Sequence, residues 1–221
     1  MEPSSYVDRD EAIIEAARGR RVLHLGCVGN TDLPPDDRVR LAQSSLHWKL
    51  TAQADVVGID YSAEVIEEYR RQNIFHNIIA GNVQLLQEVK LEGLFDIVIA
   101  ADIIEHLSNP GAMLEGIKPF CNAASRILIT TPSAFGLPNL IKFLLGHFRD
   151  GEEHVMTFNF DNIHNLLKRH GYEVVRFDTC FQHFAKSRRL IFPIGKSVFK
   201  FLPRLGGTIF IVARIPQTHN L

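Results

Sequence analysis

Three side chains able to do acid–base or ligand chemistry fall within five residues: Asp102, Glu105 and His106. Spaced i, i+3 and i+4, they crowd one side of a helical turn. Such a group can move protons near neutral pH, because an ordinary imidazole titrates at about 6.5. The run before it, Phe95-Asp96-Ile97-Val98-Ile99-Ala100-Ala101, is nearly continuous in apolar residues, as buried parallel strands are. Ligands of open α/β sheets bind just beyond the carboxyl ends of their strands. The cluster is therefore expected beside a bound molecule. A second acid, Asp60, closes the run Asp55-Val56-Val57-Gly58-Ile59. A carboxylate at such a strand end can accept both ribose hydroxyls of a nucleoside lying across the sheet.

The elements that position these groups follow from periodicity and punctuation. Residues 21–25 form an apolar strand that runs into Gly26-Cys27-Val28-Gly29-Asn30. The two glycines allow positive φ and let a ligand approach the backbone with no Cβ in the way. A nicotinamide-binding turn needs a third glycine that this chain lacks, so a dehydrogenase is disfavoured. Further strands are expected at 55–60, 75–80, 94–101, 127–132, 172–178 and 208–213. Helices are expected over 8–18, 39–52, a stretch opening at Ser62 as N-cap, 83–90, 110–120 behind Asn109-Pro110, and 162–170. Strands alternating with helices imply a mostly parallel sheet with helices on both faces. The spacing of Leu137, Leu140, Ile141, Leu144, Leu145 and Phe148 adds an apolar helix at about 133–150, inserted before the last helix.

Four segments in order carry a family resemblance: Val22-Leu23-His24-Leu25-Gly26-Cys27, then Val56-Val57-Gly58-Ile59-Asp60-Tyr61-Ser62, then Ala80-Gly81-Asn82-Val83, then Phe95 to His106. Together they resemble the motif series of class I S-adenosylmethionine-dependent methyltransferases, over roughly residues 8–178. The resemblance implies an α/β, Rossmann-like, doubly wound sheet of seven mostly parallel strands in a single domain over 1–221. It implies a cofactor site made of His24, Gly26, Cys27, Gly29, Asp60, Tyr61, Asn82, Val83, Ala101 and Asp102. In that site Asp60 takes the ribose, while Tyr61 and Asn82 take the adenine. Asn82 is equally placed to cap the next helix. The chain departs from the family at His24, where an acid is usual, and at Val28 and Asn30, where glycines are usual. Asn30 is expected to preserve the turn, since asparagine tolerates left-handed backbone.

Asp102-x-x-Glu105-His106 is also similar to the segment that holds a divalent cation in ubiquinone-biosynthesis O-methyltransferases and small-RNA 2′-O-methyltransferases. There, His154 takes the place of a further histidine. The resemblance thus implies a Mg²⁺ or Mn²⁺ site of Asp102, Glu105, His106 and His154. Methyl transfer from a sulfonium is an in-line displacement that asks the protein for alignment and for a base. His106 and His154 are the candidate bases. Ordinary packing remains open for both, as it does for most of the ten histidines. The departures at His24 and Val28 motivate a rival reading, a catalytically inactive subunit that keeps the cofactor pocket.

Composition sets the remaining bounds. A chain of 221 residues, 46% hydrophobic and with formal charge −1, suits one α/β unit. It does not suit a surface built throughout for nucleic acid. Three cysteines without metal-type pairing argue against a disulfide framework or a zinc site and fit a cytoplasmic protein. Acids interrupt the N-terminus where a signal peptide would need an apolar run, and no stretch is long enough to span a bilayer. Residues 181–205 are basic and aromatic, and no acid follows Asp178. This segment could meet an anionic partner, a lipid surface included, or be a solvated basic face. With the apolar insertion it points to a small-molecule, glycan or lipid-linked acceptor and to peripheral membrane contact, with nucleic acid less favoured.

Overall fold

The computed structural model describes residues 3–29, 31–146, 153–181 and 199–216. Its frame is one eight-stranded sheet: β1 (Tyr6–Asp8), β2 (Arg21–Leu25), β3 (Asp55–Asp60), β4 (Ile78–Ala80), β5 (Ile97–Ala101), β6 (Arg126–Pro132), β7 (Glu173–Phe181) and β8 (Thr208–Arg214). In space the order is β1-β7-β8-β6-β5-β2-β3-β4. Only the pairings of β8 with β6 and with β7 are antiparallel. The sheet is thus doubly wound, as expected, with one strand more than the seven read from the sequence. The extra strand, β1, is three residues long and pairs in parallel with β7, at the far end of the chain. Three half-buried residues carry no period to read.

Alternation sorts the side chains between two layers. Ile97 and Ile99 of β5 join Ile13 and Ala17 of α1 (Arg9–Ala17). On that face they also meet Leu46 and Leu50, which come after α2 (Pro35–Ala42), in α3 (Leu46–Thr51). Val98 and Ala100 face the other layer. There they meet Met113, Leu114 and Ile117 of α5 (Pro110–Ile117) and, beyond α6 (Leu137–Leu144), Ile163 and Leu167 of α7 (Phe160–Arg169). Each such side chain contributes roughly 1.5–3 kcal/mol by leaving water. The remaining helix, α4 (Ala63–Arg71), packs Val65, Ile66 and Tyr69 beneath the glycine turn.

Several local readings change. The expected helix over 39–52 is two helices, broken where the Ser45 side chain caps α3 by accepting the Trp48 N–H. Ser62 precedes α4 but makes no side-chain cap; its N–H instead donates to Asp60 Oδ1 at 3.3 Å. Residues Val83–Glu88 form a 3-10 helix rather than an α-helix. α7 begins earlier than 162, with a capping box between Asn159 and Asn162. The basic residues Lys186, Arg188, Arg189 and Lys196 lie outside the described residues, as does Asn30.

Candidate functional site

The turn after β2 is glycine-dependent at both expected positions. Gly26 has φ +68° and Gly29 φ +79°, a region that L side chains rarely enter. A Cβ on Gly26 would also lie 2.4 Å from Ile103 Cδ1. Between the glycines, Cys27 and Val28 turn inward and pack with Ala42, Val65, Ile66, Tyr69, Phe75 and Ile78. Val28 does not have positive φ, so valine stands there without backbone strain. Its N–H donates to Asp60 Oδ2 at 2.9 Å, which couples the turn to the end of β3.

A cavity of about 770 Å³ opens between this turn and the ends of β3, β4 and β5. Gly26, Gly29, Asp60, Tyr61, Asn82, Val83, Asp102 and His106 line it. Asp60 is only 6% exposed, and burial raises its carboxyl pKa above the ordinary value against the pull of N–H groups from Val28, Ser62, Tyr61 and Cys27. Tyr61 beside it is 76% exposed. Asn82 caps the 3-10 helix by accepting the Gln84 N–H at 2.9 Å through Oδ1, a bond that does not use its amide donors.

Thr31 and Gly81 also line the cavity, as do Gln84, Ile103, Leu107 and Glu153, to which the sequence assigns no site role. Gln84 accepts at Oε1 from Ser108 Oγ and from the Asn109 N–H. That link crosses 25 residues and has no local pattern.

Three nominated cofactor residues, His24, Cys27 and Ala101, are not in the lining. His24 lies in the core, its Nδ1 3.2 Å from Nδ1 of His47 on α3. One Nδ1 must donate and the other accept, so at most one ring can be charged, and as neutral rings the two are opposite tautomers. Burial pushes His24 well below its ordinary pKa, helped by His47 and Arg9, and pushes His47 down to about 4. Burial and the nearby Asp60 charge raise the Cys27 thiol, which stays protonated and is no nucleophile.

Asp102 departs from the expected metal set. It has φ +51° and stands before the short 3-10 turn Ile104–His106, so the shared face assumed by helical spacing does not include it. Its Oδ1 accepts from Thr130 Oγ1 at 2.8 Å and its Oδ2 from Arg9 Nη1 at 2.5 Å. Arg9 also pairs with Asp10, which pairs with Lys49. This chain of charges ties α1 to the cavity wall.

Glu105, His106 and His154 do come together, with one potential ligand atom from each lying within 4.8 Å of the others. Backbone bonding makes the cluster. The Glu105 carbonyl accepts the N–H groups of Val155 and Met156 at 3.0 and 3.1 Å. His106 Nδ1 lies 3.2 Å from the Glu153 carbonyl. The His106 and His154 rings then meet edge-on, 4.7 Å between centroids. One carboxylate and two imidazoles are a donor set that divalent transition metals accept.

A glycine turn, a strand-end carboxylate and a cavity at the carboxyl edge of a doubly wound sheet define a nucleoside-binding α/β protein. The methyltransferase-domain family model matches residues 10–176, and the chain belongs to that family, as a class I S-adenosylmethionine-dependent methyltransferase. S-adenosylmethionine is accordingly its methyl donor. No curated protein matches it in sequence.

Among solved structures it is similar to a SAM-dependent methyltransferase from Archaeoglobus fulgidus, at 16% identity over 93% of this chain and 91% of that one, with TM-score 0.57. It is likewise similar to one from Aquifex aeolicus, at 15% identity over 95% and 90%, TM-score 0.57. Magnesium protoporphyrin IX methyltransferase from Synechocystis matches at 16% identity over 93% and 81%, TM-score 0.54. At such identities the likeness speaks for the fold. The turn survives the departure at Val28 and the His24 departure is absorbed by the core, so neither favours an inactive subunit.

Proposed function

We propose that the enzyme methylates an oxygen of a small-molecule, glycan or lipid-linked acceptor, and that Glu105, His106 and His154 prepare that oxygen. The observation that carries this reading is the gathering of those three side chains within 4.8 Å at the lip of the cavity, where His106 is part of the lining. The cofactor supplies an electrophilic methyl group. Gly26, Gly29, Asp60, Tyr61, Asn82 and Val83 are the side to hold it, because they form the half of the cavity built on the glycine turn and the ends of β3 and β4.

On the other side, a histidine beside a buried carboxylate can accept the acceptor's hydroxyl proton near neutral pH. Glu105, at 1% exposure, supplies that carboxylate. A Mg²⁺ or Mn²⁺ ion would be held by Glu105, His106 and His154 and would supply Lewis acidity toward the acceptor oxygen. Asp102 belongs to the cofactor side, fixed by Arg9 and Thr130.

The test has two readouts. Titration calorimetry with Mn²⁺ should give one site in the wild type and none in His154→Ala, while binding of S-adenosylhomocysteine is the same in both. Transfer of labelled methyl to extract pools separated into lipid, glycan, RNA and protein should fall in chelator and return with Mn²⁺. Full transfer in chelator, together with no Mn²⁺ heat, would remove the metal and leave a histidine base. Labelling confined to protein or RNA would refute the acceptor class.

A further inference from the structure

The insertion between β6 and α7 presents an apolar helix whose aliphatic side chains stand largely exposed. α6 holds Leu137, Leu140, Ile141 and Leu144 in eight residues, and none of its residues is buried. Leu144 is 73% exposed, and Leu145, just after the helix, is 72% exposed. More than half of the exposed large hydrophobic side chains among the described residues fall on 135–145 and 201–202. Folded monomers rarely leave a contiguous apolar patch of this kind without a use for it.

The helix is anchored at its base. Ser133 N–H donates to the Gly207 carbonyl at 2.9 Å, and Asn139 Nδ2 donates to the Ser133 carbonyl at 2.8 Å. Gly136 lies so close to the Gly206–Gly207 backbone that a Cβ there would sit 2.6 Å from the Gly206 oxygen. This contact brings the segment before Gly206 against the base of α6. Phe201, in that segment, is 87% exposed.

Charge then decides what this face fits. Lys142 on α6, and Lys200 and Arg204 in the segment that ends at Gly206, are exposed, and none of the three is in an ion pair among the described residues. Neither 133–146 nor 199–216 contains an acid. Apolar segments that carry exposed cations and no acid match an interface of acyl chains under anionic headgroups. A second copy of the same face would set these cations against one another. Spanning is excluded for α6, since eight residues extend about 12 Å against a hydrocarbon core of about 30 Å.

We propose that α6 and the 199–205 segment dock the enzyme on an anionic lipid surface, with α6 lying in the plane of the interface. β6 leads to this face directly from Thr130, the residue that holds Asp102 at the cavity wall. Docking therefore brings the mouth of the cavity near the membrane. The inference deepens the proposed acceptor class toward lipid-linked molecules, but its test requires neither an acceptor nor a metal.

The full-length protein is sedimented with vesicles of phosphatidylcholine alone and of phosphatidylcholine with 30% phosphatidylglycerol. Binding should be to the anionic vesicles and should weaken with salt. Lys142→Glu combined with Lys200→Glu should lower the partition coefficient at least about tenfold, as each cation near the surface matters severalfold. Leu144→Asp combined with Leu145→Asp should abolish binding while S-adenosylhomocysteine binding stays intact, which controls for folding. No sedimentation with either vesicle, or equal sedimentation with both, would overturn the proposal. So would a dimer in solution that Leu144→Asp dissociates, since a second copy would then be the occupant.

Discussion

Replacing Asp60 separates two jobs that one carboxylate performs. In the free protein it accepts the N–H groups of Val28 at 2.9 Å and Ser62 at 3.3 Å, closing the glycine turn onto β3. It also lines the cavity, where the ribose hydroxyls are expected to donate to it. Asp60→Ala removes both functions. Each hydrogen bond to a charged group is worth about 1.5–3 kcal/mol, and a buried N–H left without an acceptor costs about 1–3 kcal/mol. Val28 is 8% exposed, so its N–H pays such a cost. For a chain of this size, each kcal/mol lowers Tm by roughly 2–4 °C.

Asp60→Ala should therefore melt several degrees lower and bind S-adenosylhomocysteine at least about tenfold more weakly. Asp60→Asn keeps one oxygen for the Val28 N–H but loses the charge. It should melt close to the wild type and still lose about tenfold in affinity. Thermal melts and titration calorimetry on the three proteins read both effects. Wild-type affinity in Asp60→Asn would mean that the ribose acid lies elsewhere. An unchanged Tm in Asp60→Ala would mean that the Val28 contact does not hold the turn.

Two further outcomes follow from local geometry. Gly26→Ala must adopt a left-handed backbone and meet Ile103, whereas Gly29→Ala has the same φ problem but nothing within 4 Å. Both should destabilise by about 1–2 kcal/mol from strain, and Gly26→Ala by more, with cofactor affinity falling further in Gly26→Ala. The buried histidine pair makes folding acid-sensitive. Unfolded histidines take up protons at about 6.5. In the fold His47 does so only near 4 and His24 well below its ordinary value. The unfolded chain thus binds more protons in this window, and stability declines as pH falls from about 6.5 toward 4, by about 3 kcal/mol from His47 alone. Denaturant midpoints measured across that range should fall, and replacing both His24 and His47 by leucine should flatten the slope. An equal slope in the double variant would assign the acid sensitivity to other groups.

Much of the frame was readable because its causes are local. The β2 turn declares itself through two glycines at a positive φ that most side chains adopt only with strain, and β5 through an apolar run that suits a buried strand. Asp60 is found from its place at a strand end, because sheet topology puts ligands there. What the chain did not declare depends on partners far away in sequence. β1 becomes a strand only because β7 accepts it, across more than 170 residues. Asp102 has the right spacing for a metal ligand, yet Arg9, 93 residues earlier, and Thr130, 28 later, take its oxygens. His24 looks like a substituted cofactor residue until His47 is seen stacked beside it. His154 reaches His106 because the Glu105 carbonyl binds the backbone that follows it. Backbone preference and burial pattern act over a few residues and are written in order along the chain. The partner a polar side chain takes is chosen by which strands and helices the fold lays side by side, and that choice exists only in three dimensions.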